Sequence, residues 1–197
     1  MTTSSGRPRF TRAELAAFAG TGIPDLVAPG LRLLFVGINP GLWTAAVQAH
    51  FARPGNRFYP ALHAAGITPY VIDAAGGMRP EDRALLLDRG IGISNLAHRA
   101  SARADELSRE ELRAGAARLA DDVARWRPAV VAIVGVTAYR TAFARPAAAT
   151  GRQPEDLAGA ELWVVPNPSG LNAHDTVATL GAAYAEPARA AGVLPAG

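Results

Sequence analysis

Polar and apolar positions in this chain sort into two kinds of stretch: short runs that are apolar almost throughout, and longer ones in which apolar residues recur every three or four positions. The near-continuous runs lie at 31–36 (LRLLFV), 129–134 (AVVAIV) and 161–165 (ELWVV), and a shorter β-branched one opens "IGISNLA" at 91–97. Such runs predict strands buried on both faces, as in a parallel sheet covered by helices on each side. The periodic stretches predict those helices. Thr11-Arg12-Ala13-Glu14 has the capping-box form and starts a short helix to about residue 19. "NRFYPALHAAG" predicts an amphipathic helix from Asn56, with Pro60 in its first turn or so, where a missing N–H costs little. Pro80 opens a helix that Gly90 stops, and a second capping box, Ser108 to Glu111, opens one reaching about 126. "VTAYRTAFA" is helical, and a last helix covers about 175–190. Residues 1–9 read as a disordered tail, 67–79 as irregular and 146–160 as loop.

Helices and strands therefore alternate, which predicts an α/β fold: one domain with a short, mainly parallel central sheet of about four strands flanked by helices. Residues 1–26 form a tail and short helix outside it, and 27–197 form the domain. A chain of 197 residues is long enough for one sizeable core.

Composition then narrows the chemistry. There is no cysteine, which removes disulfides, thiolate-held iron–sulfur clusters and cysteine-ligated zinc. Histidines at 50, 63, 98 and 174 match no ligand spacing and read as ordinary surface or turn residues, so neither a metal nor a cofactor is expected. No apolar run reaches the roughly 20 residues that span a bilayer, and the polar start lacks the centre of a secretory signal. No membrane partner is expected, and the cytoplasm is the expected location. All twenty basic residues are arginine, at a formal net charge of only +3. Chemistry that needs a lysine Schiff base is thereby excluded.

Two strand exits look alike. "FVGINPG" and "WVVPNPSGL" each leave an apolar run through Asn-Pro and reach a glycine within two or three residues. In a parallel sheet both would open onto the edge where ligands bind. Neither is a phosphate cradle of the Gly-x-Gly-x-x-Gly or Gly-x-x-x-x-Gly-Lys kind. An asparagine amide is no general base, but it can hold a water and stabilise a polar transition state. It suits a reaction in which bond breaking runs ahead of nucleophilic attack.

"GINPG", "FARPGNRFY" and "PNPSGL", in that order, resemble the motifs of the mismatch-specific uracil-DNA glycosylases, relatives of thymine-DNA glycosylase in the uracil-DNA glycosylase superfamily. The likeness runs from about residue 27 to 188. It implies a monofunctional glycosylase of base excision repair that acts as a monomer on double-stranded DNA. Its reaction would be hydrolysis of the N-glycosidic bond of uracil, and less readily thymine or modified cytosine, at G·U or G·T mismatches. The target base would be flipped out of the stack. Asn39 matches the residue that orients water, and backbone N–H groups around Ile38 would support the departing base. Thr44 and Phe51 would line the base pocket, Phe51 by stacking, and Asn95 would hydrogen-bond the base. The loop from Asn167 would meet DNA: Leu171 as the wedge, Gly170 and Asn172 reading the widowed guanine, Ser169 and His174 reaching phosphates. The mild positive charge implies modest, salt-sensitive affinity, with Arg53 and Arg57 contributing. Two departures stand out. Trp43 replaces a small residue, and "NAH" after Leu171 lacks the arginine that the family carries there. Two other readings stand beside this one, a non-catalytic DNA-lesion binder and a hydrolase of free nucleosides. An apolar loop tip at Leu171 favours a duplex.

Overall fold

The computed structural model describes residues 8–170 and 175–195. The apolar runs become β1 (Leu33–Gly37), β2 (Ile91–Asn95), β3 (Val130–Val134) and, after β4 (Gly151–Leu157), β5 (Ala160–Val165). They form one sheet in the order β2-β1-β3-β5-β4. The four strands seen in the sequence are mutually parallel where they pair, and β4 runs antiparallel to β5.

β4 corrects the reading of 146–160 as loop, so the sheet has five strands rather than about four. It is an edge strand in which only Gln153 and Leu157 are buried, so its sequence, GRQPEDL, carries no apolar run. Pro154 is tolerated there because an edge strand need not donate from every N–H, and pairing is irregular between Arg152 and Asp156.

The helices are α1 (Arg12–Ala16), α2 (Leu42–Val47), α3 (Phe58–Ala64), α4 (Pro80–Asp88), α5 (Arg109–Trp126), α6 (Val136–Ala142) and α7 (Val177–Ala190). Both capping boxes form, at Thr11 and at Ser108. α1 is shorter than expected. α3 begins two residues after Asn56, whose side chain accepts from Phe58 N at 2.9 Å. α2 was not anticipated; six residues directly after a Pro-Gly turn leave no room for a periodic pattern.

Every residue of β1, β2 and β3 is buried, and their side chains alternate between two cores. Leu33 and Phe35 face α3, α4 and α7, meeting Phe58, Leu86 and Tyr184. Leu34 and Val36 face α5 and α6, meeting Leu119, Val123 and Tyr139. Each such side chain contributes about 1.5–3 kcal/mol on burial. With both faces covered, the open part of the sheet is its edge, where β1, β2, β3 and β5 all end.

α5 lies very close to the chain leaving β2. A Cβ at Gly115 would fall 2.0 Å from the Leu96 carbonyl oxygen, so only glycine fits. That contact presses residues 96–101 against the β1 exit, where Leu96 N and Ala97 N donate to the Gly37 and Ile38 carbonyls at 2.9 and 2.8 Å.

Candidate active site

The β1 exit carries Asn39, and three acceptors fix its side chain. Nδ2 donates to the carbonyls of Pro40 (3.0 Å) and Arg99 (3.2 Å) and to Ser101 Oγ (2.8 Å). Ser101 spends its own proton on the Arg103 carbonyl at 2.6 Å, so it can only accept from Asn39. Carbonyls only accept as well. The amide nitrogen therefore faces this wall, and Oδ1 is the atom left for the cleft that Asn39 lines. An acceptor there can accept a hydrogen bond from water and turn the water's lone pair away from the loop.

That cleft, about 150 Å³, is lined by Ile38, Asn39, Thr44, Phe51 and Asn95, with Asn167 from the β5 exit. The expected pocket residues are thus in one place, although they span 57 positions of sequence from Ile38 to Asn95. Sheet register does part of this: Gly37 and Asn95 are paired across β1 and β2. Thr44 is buried on α2. Phe51 sits in the left-handed region at φ 52°, a conformation that costs a non-glycine residue energy and persists where packing enforces it. Its ring stacks on Phe58, with centroids 4.0 Å apart and 18° between planes. Gly37 has to lack a side chain here, because a Cβ would lie 2.6 Å from Asn95 Oδ1 and 3.2 Å from the Phe51 ring.

Trp43, the residue that departs from the family pattern, is not among the lining residues. Its indole N–H donates to the Ala75 carbonyl at 3.0 Å, and Phe10 packs edge-on against its ring. It braces α2 from outside and leaves the width of the cleft to Thr44.

Among the described residues, no aspartate or glutamate lines the cleft. The histidine that does, His50, is buried, and loss of hydration pushes its pKa down to about 4. This corrects the reading of His50 as a surface or turn residue; His63 and His98 are indeed exposed.

The β5 exit is built differently. Asn167 Oδ1 accepts from Ser169 N at 3.0 Å, a turn closed by its own side chain. Tyr184 on α7 donates to the Pro166 carbonyl at 3.0 Å. Arg57 N donates to the Pro168 carbonyl at 3.0 Å, and its guanidinium donates to the carbonyls of Ser169 (2.5 Å) and Asp175. The sequence suggested Arg57 as one of the arginines contributing to DNA affinity; in the fold its guanidinium also holds these loop oxygens. Ser169 and Gly170 line a neighbouring cleft of about 310 Å³ with Arg53 to Asn56, and Arg53 and Asn56 line both clefts. Leu171, Asn172 and His174 lie outside the described residues.

Two residues of the site were missed in the sequence, Ser101 and His50; Arg57 was named there, but not as a clamp on the β5 exit. His50 had a signal, since it directly precedes Phe51. Ser101 had none, lying 62 positions from the amide it holds.

The fold and cleft together define an α/β protein whose site is an amide-lined, acid-free pocket at the carboxyl edge of a parallel sheet. Residues 24–187 match the family model of the uracil DNA glycosylase superfamily, and the chain belongs to that superfamily. It is a DNA glycosylase, hence a hydrolase, and its partner is DNA. Its fold is also that of a solution NMR structure from Methanosarcina acetivorans, provisionally described as a uracil DNA glycosylase. The two share a TM-score of 0.54 and 17% identity, covering 84% of this chain and 98% of that one.

Proposed function

We propose that the protein is a monofunctional glycosylase that removes uracil, and less readily thymine or modified cytosine, from G·U and G·T mismatches in duplex DNA. The observation that carries this reading is the acid-free cleft around a clamped Asn39. With no carboxylate to deprotonate water, attack on an intact nucleoside is disfavoured and departure of the base leads. The N1–C1′ bond breaks with its electron pair passing to N1, and the sugar gains oxocarbenium character. Water held at Asn39 Oδ1 then bonds to C1′ and releases its proton to solvent. Backbone N–H groups near Ile38 and the Asn95 amide meet the departing base, and Phe51 stacks on it. A mismatched base costs less to unstack than a paired one, which supports mismatch preference. The sequence holds no lysine to form a Schiff base with the abasic sugar, so the strand is left intact.

End-labelled duplexes with a central G·U, G·T or A·U pair, and single-stranded uracil DNA, test this. Cleavage of G·U DNA only after alkali, strongly reduced in Asn39→Ala, is the expected result. Strand breaks without alkali would refute the monofunctional assignment, and equal release from A·U would refute mismatch selectivity. Duplex binding with no base release would leave a lesion binder in its place. Release from free deoxyuridine at a rate matching the duplex would make it a nucleoside hydrolase.

A further inference from the structure

His50 is buried in the wall of the cleft, and the reaction just described gives it no task. Its Nε2 lies 3.0 Å from the Pro24 carbonyl, and its Nδ1 lies 3.3 Å from Asn95 Nδ2. A carbonyl cannot donate, so Nε2 carries the ring proton. Burial disfavours the doubly protonated ring. Nδ1 is then a lone pair, and the group facing it has to donate. That requirement decides which way round the Asn95 amide sits: nitrogen toward His50, Oδ1 toward Gly37 and Phe51. The backbone that carries the ring is anchored too, since the Tyr59 hydroxyl donates to the His50 carbonyl at 2.8 Å.

We infer that His50 is a positioning residue that locks the donor–acceptor polarity of Asn95, so that the cleft selects bases presenting a ring N–H beside a carbonyl. This rests on the glycosylase reading above. With the amide locked, Oδ1 accepts the ring N–H and the second Nδ2 proton reaches the adjacent carbonyl. A base with a bare ring nitrogen beside an amino group meets acceptor against acceptor and donor against donor. Turning the amide over would accommodate it, but would set Asn95 Oδ1 against the Nδ1 lone pair. Sites that hydrogen-bond one edge reject the wrong edge far more strongly than apolar pockets reject a wrong size.

The test compares 5-fluorouracil and 5-fluorocytosine opposite guanine, which share a ring substituent and differ at this edge. Single-turnover release is measured for wild type and His50→Asn, whose amide can accept from or donate to Asn95. The readout is the ratio of the two rates. Wild type is expected to favour fluorouracil by roughly 100-fold or more, and His50→Asn to lower that ratio by roughly tenfold or more. An unchanged ratio in a folded variant would overturn the lock. Long-range proton–nitrogen NMR of the His50 ring supplies a second readout that does not depend on the variant folding or on turnover. A protonated Nε2 and bare Nδ1, with the Nδ1 resonance moving in Asn95→Ala, are expected. An Nδ1–H tautomer at neutral pH would overturn the proposal. If wild type releases neither base, the glycosylase reading fails while the NMR experiment still decides the lock.

Discussion

The two Asn-Pro exits use the same dipeptide for opposite purposes. At β1, the Asn39 amide nitrogen is bound by residues 60 and 62 positions away, which frees its oxygen for the cleft. At β5, the Asn167 oxygen is taken by Ser169 N two residues on, so that side chain shapes its own loop. One asparagine is held by the tertiary structure in order to act on something else, and the other holds the local backbone. Identical motifs on one sheet edge therefore need not carry equivalent chemistry. What separates them is where each amide's hydrogen-bonding capacity is spent.

The largest expected effect tests that contrast directly. Asn39→Ala should reduce single-turnover base release by roughly 10²–10³-fold, the range seen when a preorganised polar group is removed from a reacting centre. Asn167→Ala should not, and an equal loss of rate constant in both would break the comparison. A second effect concerns the wall behind the first exit. His50 is depressed to about 4 from an ordinary value of 6.5. The unfolded chain therefore binds the proton first as pH falls. The stability this ring contributes is complete above about 6.5 and lost progressively toward pH 4, roughly 3 kcal/mol in all. Asp25, Arg83 and His98 act on the same ring from nearby. Denaturation midpoints across this window should slope in wild type and flatten in His50→Gln.

Arg57→Met sharpens the other side. It removes charged hydrogen bonds to two loop carbonyls, which are worth about 1.5–3 kcal/mol each. Duplex affinity should fall by roughly tenfold or more while the single-turnover rate at saturating enzyme changes little. If Arg57 instead meets phosphate, the salt slope of binding should also drop by about one. Ser101→Ala takes away one of the acceptors that fix Asn39, and should slow base release by roughly tenfold with unchanged DNA affinity. The smallest effect is that of Asn167→Ala on binding. Loss of one turn-closing hydrogen bond costs about 1 kcal/mol, or roughly fivefold in duplex affinity. Fluorescence anisotropy of labelled duplex, alongside single-turnover assays, separates all three.

Legibility in the sequence followed how far each signal had to reach. Four buried strands and the helix from Ser108 to Trp126 were readable because continuous apolar runs and capping boxes are local. β4 was not, because an edge strand with one open face needs no apolar run. Within the site, Asn39, Thr44 and Phe51 sit in a single stretch of motif, and the structure gathers them with Asn95 in one cleft. His50, in that same stretch, was passed over because its burial depends on Pro24 and Asn95, neither of which is near it in sequence.

The sequence by itself determined the alternation of strands and helices, the Asn-Pro exits and the absence of thiol and lysine chemistry, since each is written in residue type and spacing. Only the tertiary structure decided which way round the Asn39 and Asn95 amides sit. A side-chain amide turns over at little cost in water. Its orientation becomes fixed when chain segments far apart in sequence bring acceptors such as the Arg99 carbonyl, Ser101 Oγ and the His50 lone pair to one side of it.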